Sequence, residues 1–260
     1  MLSDSSKPEV ATTPKTKTWS PLTAVLIVLA SFLLAPAIVQ MVLMGIPYLM
    51  GWDSFRAEQW LSESPVSSFF YVLLVETLTI GGLYIFTRYK KVSFRKVAAL
   101  EKFKARDIGH ALLGFLIYFG LFAIALTIVD QFVTLDTDQK QALGFSQGVG
   151  GLGLALAFVS LVVLPPIAEE IIFRGFLYGT LRKRLGAWST IIVTSIFFAG
   201  LHLFGAEEGG LLWSAFVDVF VLSIVLCYLR EQNGSIWASV GVHALKNGFV
   251  FLNLFIISAR

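Results

Sequence analysis

The sequence has few of the residues that soluble, disulfide-bonded or cysteine-dependent proteins rely on. Its 260 residues include a single cysteine, which excludes an intramolecular disulfide framework and any CxxC metal or redox motif. Charged residues make up only 14% of the chain, whereas 56% of residues are hydrophobic and the mean hydropathy is +0.77. An average soluble domain carries roughly one-quarter charged residues. The composition therefore predicts an integral membrane protein.

The charge balance argues for a lipid partner and against a nucleic-acid partner. The formal net charge is +3, and the basic residues occur in short clusters between apolar runs. Clusters in that position set the topology of membrane proteins. We therefore expect the chain to contact the lipid bilayer and not to bind nucleic acid.

The apolar runs predict the fold class, an all-α, multi-pass transmembrane bundle. About seven runs approach the roughly 20 residues that cross a bilayer. They lie at about 21–50, 67–87, 108–133, 150–164, 188–204, 211–229 and 235–257. The prolines Pro36 and Pro47 are expected to kink the first helix or to break it near its end. No internal repeat is visible, so the inverted repeats of many transporters are missing.

The same pattern predicts the domain organisation. Residues 1–18 are rich in Ser, Thr, Pro and Lys and are expected to form a disordered polar tail. Residues 19–260 form the transmembrane helical domain, and its motif-bearing core lies at about 150–258. The first apolar run is too long for a signal peptide, so we expect it to be retained as a spanning helix.

The loop charges predict a cytoplasmic N-terminus. Between Arg88 and Arg106 there are eight basic residues and one acid, Glu101, which places this loop inside. The cluster at 182–184 falls on the same side, whereas the loops that carry mainly acids fall on the exterior side. We expect a plasma membrane by default, with a plastid or endoplasmic reticulum membrane as alternatives.

The segment PPIAEEIIFRG, residues 165–175, places three charges between apolar runs. Its prolines suit the first turn of a kinked or restarted helix. On that helix Glu170 and Arg174 are four residues apart and can neutralise each other. Glu169 points about 100° away and has no local cation. An unpaired acid at membrane depth usually marks an active site or a pathway, although both glutamates could instead only brace a kinked helix.

Two histidines fall within predicted spans and bring polar partners with them. His243 shares a helical face with Asn247, and His202 shares one with Phe198. Either histidine could be a hydrogen-bonded packing residue. Together with Glu169, however, they suggest hydrolysis: a carboxylate to take a proton from water, a histidine to orient that water, and a His/Asn pair to stabilise an oxyanion. No serine-nucleophile, cysteine-dyad or HExxH motif is present.

These residues form three motifs that resemble those of a known family. EEIIFR at 169–174, FAGLH at 198–202 and HALKN at 243–247 are similar to the EExxxR, FxxxH and HxxxN motifs of the CPBP intramembrane proteases. That family includes the type II CAAX prenyl endopeptidases and bacteriocin-processing and immunity relatives. The resemblance covers roughly a third of the chain, from Pro165 to Asn247.

The resemblance implies a role for each motif residue. Glu169, together with His202, would activate water. His243 and Asn247 would form the oxyanion site. Glu170, Arg174 and Phe198 would support the site structurally. The substrate would be a peptide or protein, with or without a prenyl group. We expect no cofactor. The alternative is zinc held by Glu169, His202 and His243, and it is less favoured because the amide of Asn247 is a poor zinc ligand.

Two rival functions and several further charges remain open at this stage. A scaffold or immunity protein would keep the fold without turnover. A proton-coupled transporter would relay protons through Glu76, Glu169 and Asp218. Glu76 and Asp218 are expected either to pair with a cation or hydroxyl or to line a substrate path. Lys246 is expected to pair with an acid or to reach towards the membrane surface.

Overall fold

The computed structural model of the protein describes residues 19–132, 143–146, 148–204 and 210–258. Within these ranges the regular structure is helical, and no strand occurs. The predicted disordered tail, residues 1–18, lies outside the described residues. The helices in chain order are α1 (Pro21–Leu49), α2 (Ser54–Glu63), α3 (Pro65–Tyr89), α4 (Phe94–Val97), α5 (Ala105–Asp130), α6 (Leu152–Leu181), α7 (Ala187–Leu201), α8 (Trp213–Asn233) and α9 (Trp237–Leu252, continued as a π-helix over Asn253–Ile257).

The predicted multi-pass bundle is confirmed. Among the described residues, six helices are long and apolar enough to cross a bilayer: α1, α3, α5, α6, α8 and α9 with its π-helical extension. The remaining predicted span, 188–204, corresponds to α7, which has 15 residues. At 1.5 Å per residue it is about 22 Å long, shorter than the hydrocarbon core. It ends at Leu201, so His202 lies at its C-terminus and not inside a span.

Helix α1 continues through both of its prolines. Ser20 caps its N-terminus by accepting a hydrogen bond from the Thr23 amide at 3.0 Å, and Pro21 occupies the first turn, where a missing N–H costs little. The helix passes Pro36 and ends two residues after Pro47. No break therefore occurs at Pro36.

The sequence predicts a kinked or restarted helix at the prolines of α6. The helix runs without interruption from Leu152 to Leu181, through two π-helical segments at Val159–Val163 and Glu170–Leu177. Pro165 and Pro166 lie in the α-helical stretch Leu164–Glu169 between these segments. The helix therefore does not restart at the prolines.

Helix α6 contacts helices that precede it in the chain, α1 and α3, and helices that follow it, α7, α8 and α9. Helix α8 packs on α5 and α7, α9 packs on α5, and α1 packs on α3. The largest buried apolar cluster joins the C-terminal part of α6 to α1, α3, α7 and α8, and it includes Ile172, Phe173, Phe176 and Phe198. The motif segment of α6 is therefore held in the centre of the protein.

Candidate active site

The prolines of α6 leave backbone carbonyls without partners, and Asn247 satisfies one of them. In a helix the carbonyl of Leu161 would accept from the amide four residues later, or five in a π turn. Those residues are Pro165 and Pro166, and neither has an N–H. The side-chain amide of Asn247, from α9, donates to the Leu161 oxygen at 2.9 Å. The asparagine of the third motif therefore supplies a hydrogen bond that the two prolines cannot supply.

The Glu170–Arg174 pair predicted from the sequence forms inside the protein. Arg174 Nη1 lies 2.9 Å from Glu170 Oε1, and both side chains are 0% exposed. Arg174 Nη2 donates to Ser223 Oγ at 2.8 Å, and its guanidinium lies 4.3 Å from the centre of the Phe198 ring. The pair crosslinks α6, α7 and α8. This geometry fits the supporting role expected for Glu170, Arg174 and Phe198.

His243 lies between the two adjacent glutamates. Its Nδ1 is 3.1 Å from Glu170 Oε1, and its Nε2 is 3.8 Å from Glu169 Oε2. Because Glu170 is paired with Arg174, its carboxylate accepts, and Nδ1 carries the hydrogen. In the neutral ring, Nε2 then has a lone pair directed towards Glu169.

Glu169 and Glu170 differ in exposure and in ion pairing. Among the described residues the buried Oε2 of each has no hydrogen-bond partner. The Glu169 side chain is 13% exposed, whereas Glu170 is 0% exposed and its Oε1 contacts Arg174 and His243. The 100° separation of adjacent helical residues therefore produces two different environments for two identical side chains.

A hydrogen bond to the backbone orients the His202 ring. Its Nδ1 donates to the backbone oxygen of Phe198 at 2.8 Å, one helical turn earlier. The Phe198 ring lies between the two imidazoles, with centroid distances of 4.7 Å to His202 and 5.9 Å to His243. The remaining nitrogen of His202, Nε2, has a lone pair in this tautomer.

One cavity joins all four candidate catalytic residues. It has a volume of about 650 Å³, and Glu169, His202, His243 and Asn247 are among its lining residues. Binding pockets for small ligands typically have volumes of 300–1,000 Å³. The three helices that carry the motifs thus bring their polar groups to a single space large enough for a short peptide segment.

Further charged groups line the same cavity. Asp218 accepts a hydrogen bond from the Tyr118 hydroxyl and pairs with Lys246 Nζ at 2.9 Å. The expectation that Asp218 pairs with a cation or a hydroxyl, and Lys246 with an acid, is therefore confirmed. Glu76 also lines the cavity. Tyr118 was not expected, because it lies 100 residues from Asp218 and no local pattern connects them.

The candidate zinc ligands Glu169, His202 and His243 are not grouped as a metal site. Among the described residues, no group of three or more His, Cys, Asp or Glu side chains is arranged to hold a metal ion. His243 Nδ1 is engaged with Glu170, which leaves Nε2 as the His243 nitrogen that faces Glu169.

Comparison with known proteins identifies the family that the motif-bearing region matches. Residues 151–249 match the family model described as Rce1-like, type II CAAX prenyl endopeptidase Rce1-like. The chain is 30% identical over 209 residues to "Uncharacterized protein YyaK" of Bacillus subtilis (strain 168), a match that spans 78% of this chain and 66% of the relative. No solved structure matches. The matched region contains all three motifs, and over residues 151–249 the chain carries a region of the Rce1-like family.

Proposed function

We propose that this protein is an intramembrane endopeptidase in which Glu169 activates the attacking water. The observation that carries the proposal is that Glu169 lines a cavity shared with two histidines and an asparagine, while its buried Oε2 has no hydrogen-bond partner among the described residues. Glu170 Oε2 lacks a partner as well, but Glu170 is not among the lining residues. A buried acceptor without a partner normally costs stability, and such groups persist where function requires them. The family match favours peptide hydrolysis as that function.

The proton balance of the reaction follows from the hydrogen bonds. Glu169 takes one proton from water while the water oxygen bonds to the peptide carbonyl carbon. The lone pair of His202 Nε2 accepts the second water hydrogen as a hydrogen bond and orients the nucleophile. The C–N bond then breaks, and the departing amine receives the proton held by Glu169. The glutamate is thereby returned to its starting state.

Asn247 and His243 stabilise the oxyanion in different ways. The Asn247 amide has two hydrogens and uses one on the Leu161 oxygen, so the other can be donated to the oxyanion. His243 Nε2 carries no hydrogen while Nδ1 donates to Glu170. It becomes a donor when the proton that Glu169 has taken from water passes to it across the 3.8 Å separation, and the same proton returns through Glu169 to the departing amine. Glu170 then balances the charge of the imidazolium.

The reaction is proposed to proceed without a metal, on a peptide or protein substrate with or without a prenyl group. The amide of Asn247 and the histidine hydrogen would supply the electrostatic stabilisation that a Lewis acid supplies elsewhere. The active-site groups of this chain then suffice for the proton transfers.

The test is cleavage of a panel of quenched peptides, including farnesylated CAAX peptides, by purified protein in detergent. Glu169→Gln should lower kcat about 10²–10⁴-fold, the usual contribution of a general base. Glu101→Gln, which changes an exposed glutamate outside the cavity, is the matched control and should retain full activity.

Three results would contradict the proposal. Activity that survives in Glu169→Gln would rule out the assigned base. Activity lost with a zinc chelator and restored by zinc would establish a metal-dependent reaction. Failure of the wild type to cleave any peptide of the panel would favour the scaffold or transporter alternatives, which binding and flux assays would then separate.

A further inference from the structure

The walls of the active-site cavity come from one end of the bundle. This is the end at which α1 finishes and α3, α6 and α8 begin. The lining residues nearest this end, called the rim below, include Leu61 of α2, Ser67 and Ser68 at the start of α3, Gly144, and Phe255 near the end of α9. Within the described part of the chain, residues 80–106, 173–197 and 223–242, which form the opposite end, contribute nothing to the lining. The described lining is therefore confined to one end of the bundle, called the open end, and the opposite end is called the closed end.

The opposite end is closed by packed side chains. Beneath Glu169 the next turns of α6 are fully buried, including Phe173, Phe176 and Leu177. Phe176 packs with Trp19 at 5.4 Å and with Phe86 at 6.0 Å between ring centroids. A dense aromatic layer thus lies between the catalytic groups and this end of the protein.

Glycine allows the closed end to pack tightly. A Cβ on Gly175 would lie 2.7 Å from the backbone of Ala98, a separation that real Cβ atoms do not show. The 94–99 segment therefore presses directly against α6 below the site. Neither water nor a peptide can pass through this contact without displacing backbone.

The charges identify the closed end as cytoplasmic. The eight basic residues between 88 and 106 all lie there, and seven of them are exposed: Arg88, Lys91, Arg95, Lys96, Lys102, Lys104 and Arg106. At the open end, α2 and its N-cap carry Asp53, Glu58 and Glu63. Basic residues accumulate on the cytoplasmic side of membrane proteins. The open end is therefore the exterior one.

Aromatic residues place the rim of the cavity at the level of the lipid headgroups. The rings of Trp52, just before α2, and Trp60, within it, lie 6.2 Å apart, and the Arg56 guanidinium lies 4.2 Å from the Trp52 ring centre. Tryptophans concentrate at the membrane–water interface. Ser67 Oγ donates to the Trp60 oxygen at 2.7 Å and ties α2 to the rim.

Polar side chains line the way from this rim to the catalytic groups. Gln40 of α1 and Tyr71, Glu76 and Thr79 of α3 line the same cavity as Glu169. Such groups can hydrogen-bond the backbone of an extended peptide as it enters, which apolar walls cannot do.

We infer that the active site receives its peptide from the exterior face of the membrane, an inference that rests on the proposed peptidase function. The substrate class is then an exported peptide, or a segment of a membrane protein that emerges on the exterior side. A prenylated tail in the cytosol faces the closed end of the bundle and is not a substrate in the cell.

The inference is tested by labelling single cysteines from a known side of the membrane. Cys227, which is buried, is first replaced by alanine. Gln40→Cys then places a thiol at an exposed cavity position, and Ser93→Cys places the control thiol at an exposed position in the basic segment. A membrane-impermeant maleimide is applied to intact cells and to permeabilised cells.

The expected result is labelling of Gln40→Cys in intact cells and of Ser93→Cys only after permeabilisation. Labelling with a bulky maleimide should also lower peptide cleavage by Gln40→Cys at least about tenfold, and leave Ser93→Cys unaffected. If Gln40→Cys is not labelled in intact cells, the inference is overturned, even where the purified enzyme cleaves peptides. If the wild type cleaves nothing, the proposed function fails while the labelling still reports the orientation of the cavity.

Discussion

Replacing Arg174 by methionine removes the cation from an ion pair that has no exposed surface. Methionine retains much of the volume of the arginine side chain, so the change leaves the Glu170 carboxylate in place without its main partner. The cation–π contact with Phe198 and the hydrogen bond to Ser223 are lost as well. His243 Nδ1 remains as the one charge-stabilising contact that the described residues give to Glu170.

The size of the effect follows from burial. Both members of the pair are 0% exposed, and breaking such a pair by removing one partner costs about 3–5 kcal/mol. The double variant Glu170→Gln/Arg174→Met removes both charges and should recover part of this loss, because no unpaired charge remains. The control is Arg182→Met. Arg182 pairs with Glu231 at 3.0 Å, but their side chains are 42% and 25% exposed, so its loss should cost at most about 1 kcal/mol.

The assay is equilibrium unfolding in mixed detergent micelles with increasing sodium dodecyl sulfate, followed by intrinsic fluorescence and circular dichroism. The expected order of stability is wild type, Arg182→Met, the double variant and Arg174→Met. An Arg174→Met protein within about 1 kcal/mol of the wild type would refute the argument. It would mean that Glu170 is not held as a buried charge.

Three further changes test other parts of the site, each by the same unfolding titration. Gly175→Ala should destabilise by about 1–3 kcal/mol, because its methyl group meets the Ala98 backbone; an unchanged stability would show that this contact is loose. Asn247→Leu should cost about 1–3 kcal/mol by leaving the Leu161 carbonyl unpaired, and a neutral effect would remove the structural role of the amide. Glu76→Gln should leave stability unchanged or raise it, because the structure gives this half-buried carboxylate no ion pair among the described residues; a clear loss would reveal a partner.

The polar motifs could be found from the sequence because each is local. Helical spacing predicts that Glu170 meets Arg174 and that Glu169 points elsewhere, and both follow from 3.6 residues per turn. The length and apolarity of the runs predict the bundle for the same reason. The ten-residue helix α2 was missed, because its polar composition resembles that of a loop and its helix is amphipathic rather than apolar.

The contacts between helices could not be derived in the same way. That His243 lies between Glu169 and Glu170 depends on the separation and rotation of α6 and α9, which no single-helix pattern determines. The prolines do indicate that Leu161 needs a donor, but they do not say that Asn247 provides it. The sequence also left open whether α6 is kinked at its prolines or restarts there, because proline usually ends a helix and periodicity does not reveal the π turns on either side.

The most direct test of the account compares Glu169→Gln with Glu170→Gln in the same preparation, by measuring single-turnover peptide cleavage beside the free energy of unfolding. The two residues are chemically identical neighbours, yet only Glu170 is held by Arg174. The account predicts that Glu169→Gln folds with wild-type stability and loses cleavage about 10²–10⁴-fold, whereas Glu170→Gln is destabilised. A Glu169→Gln protein that cleaves at the wild-type rate, or that loses activity only because it unfolds, would contradict the assignment of Glu169 as the base.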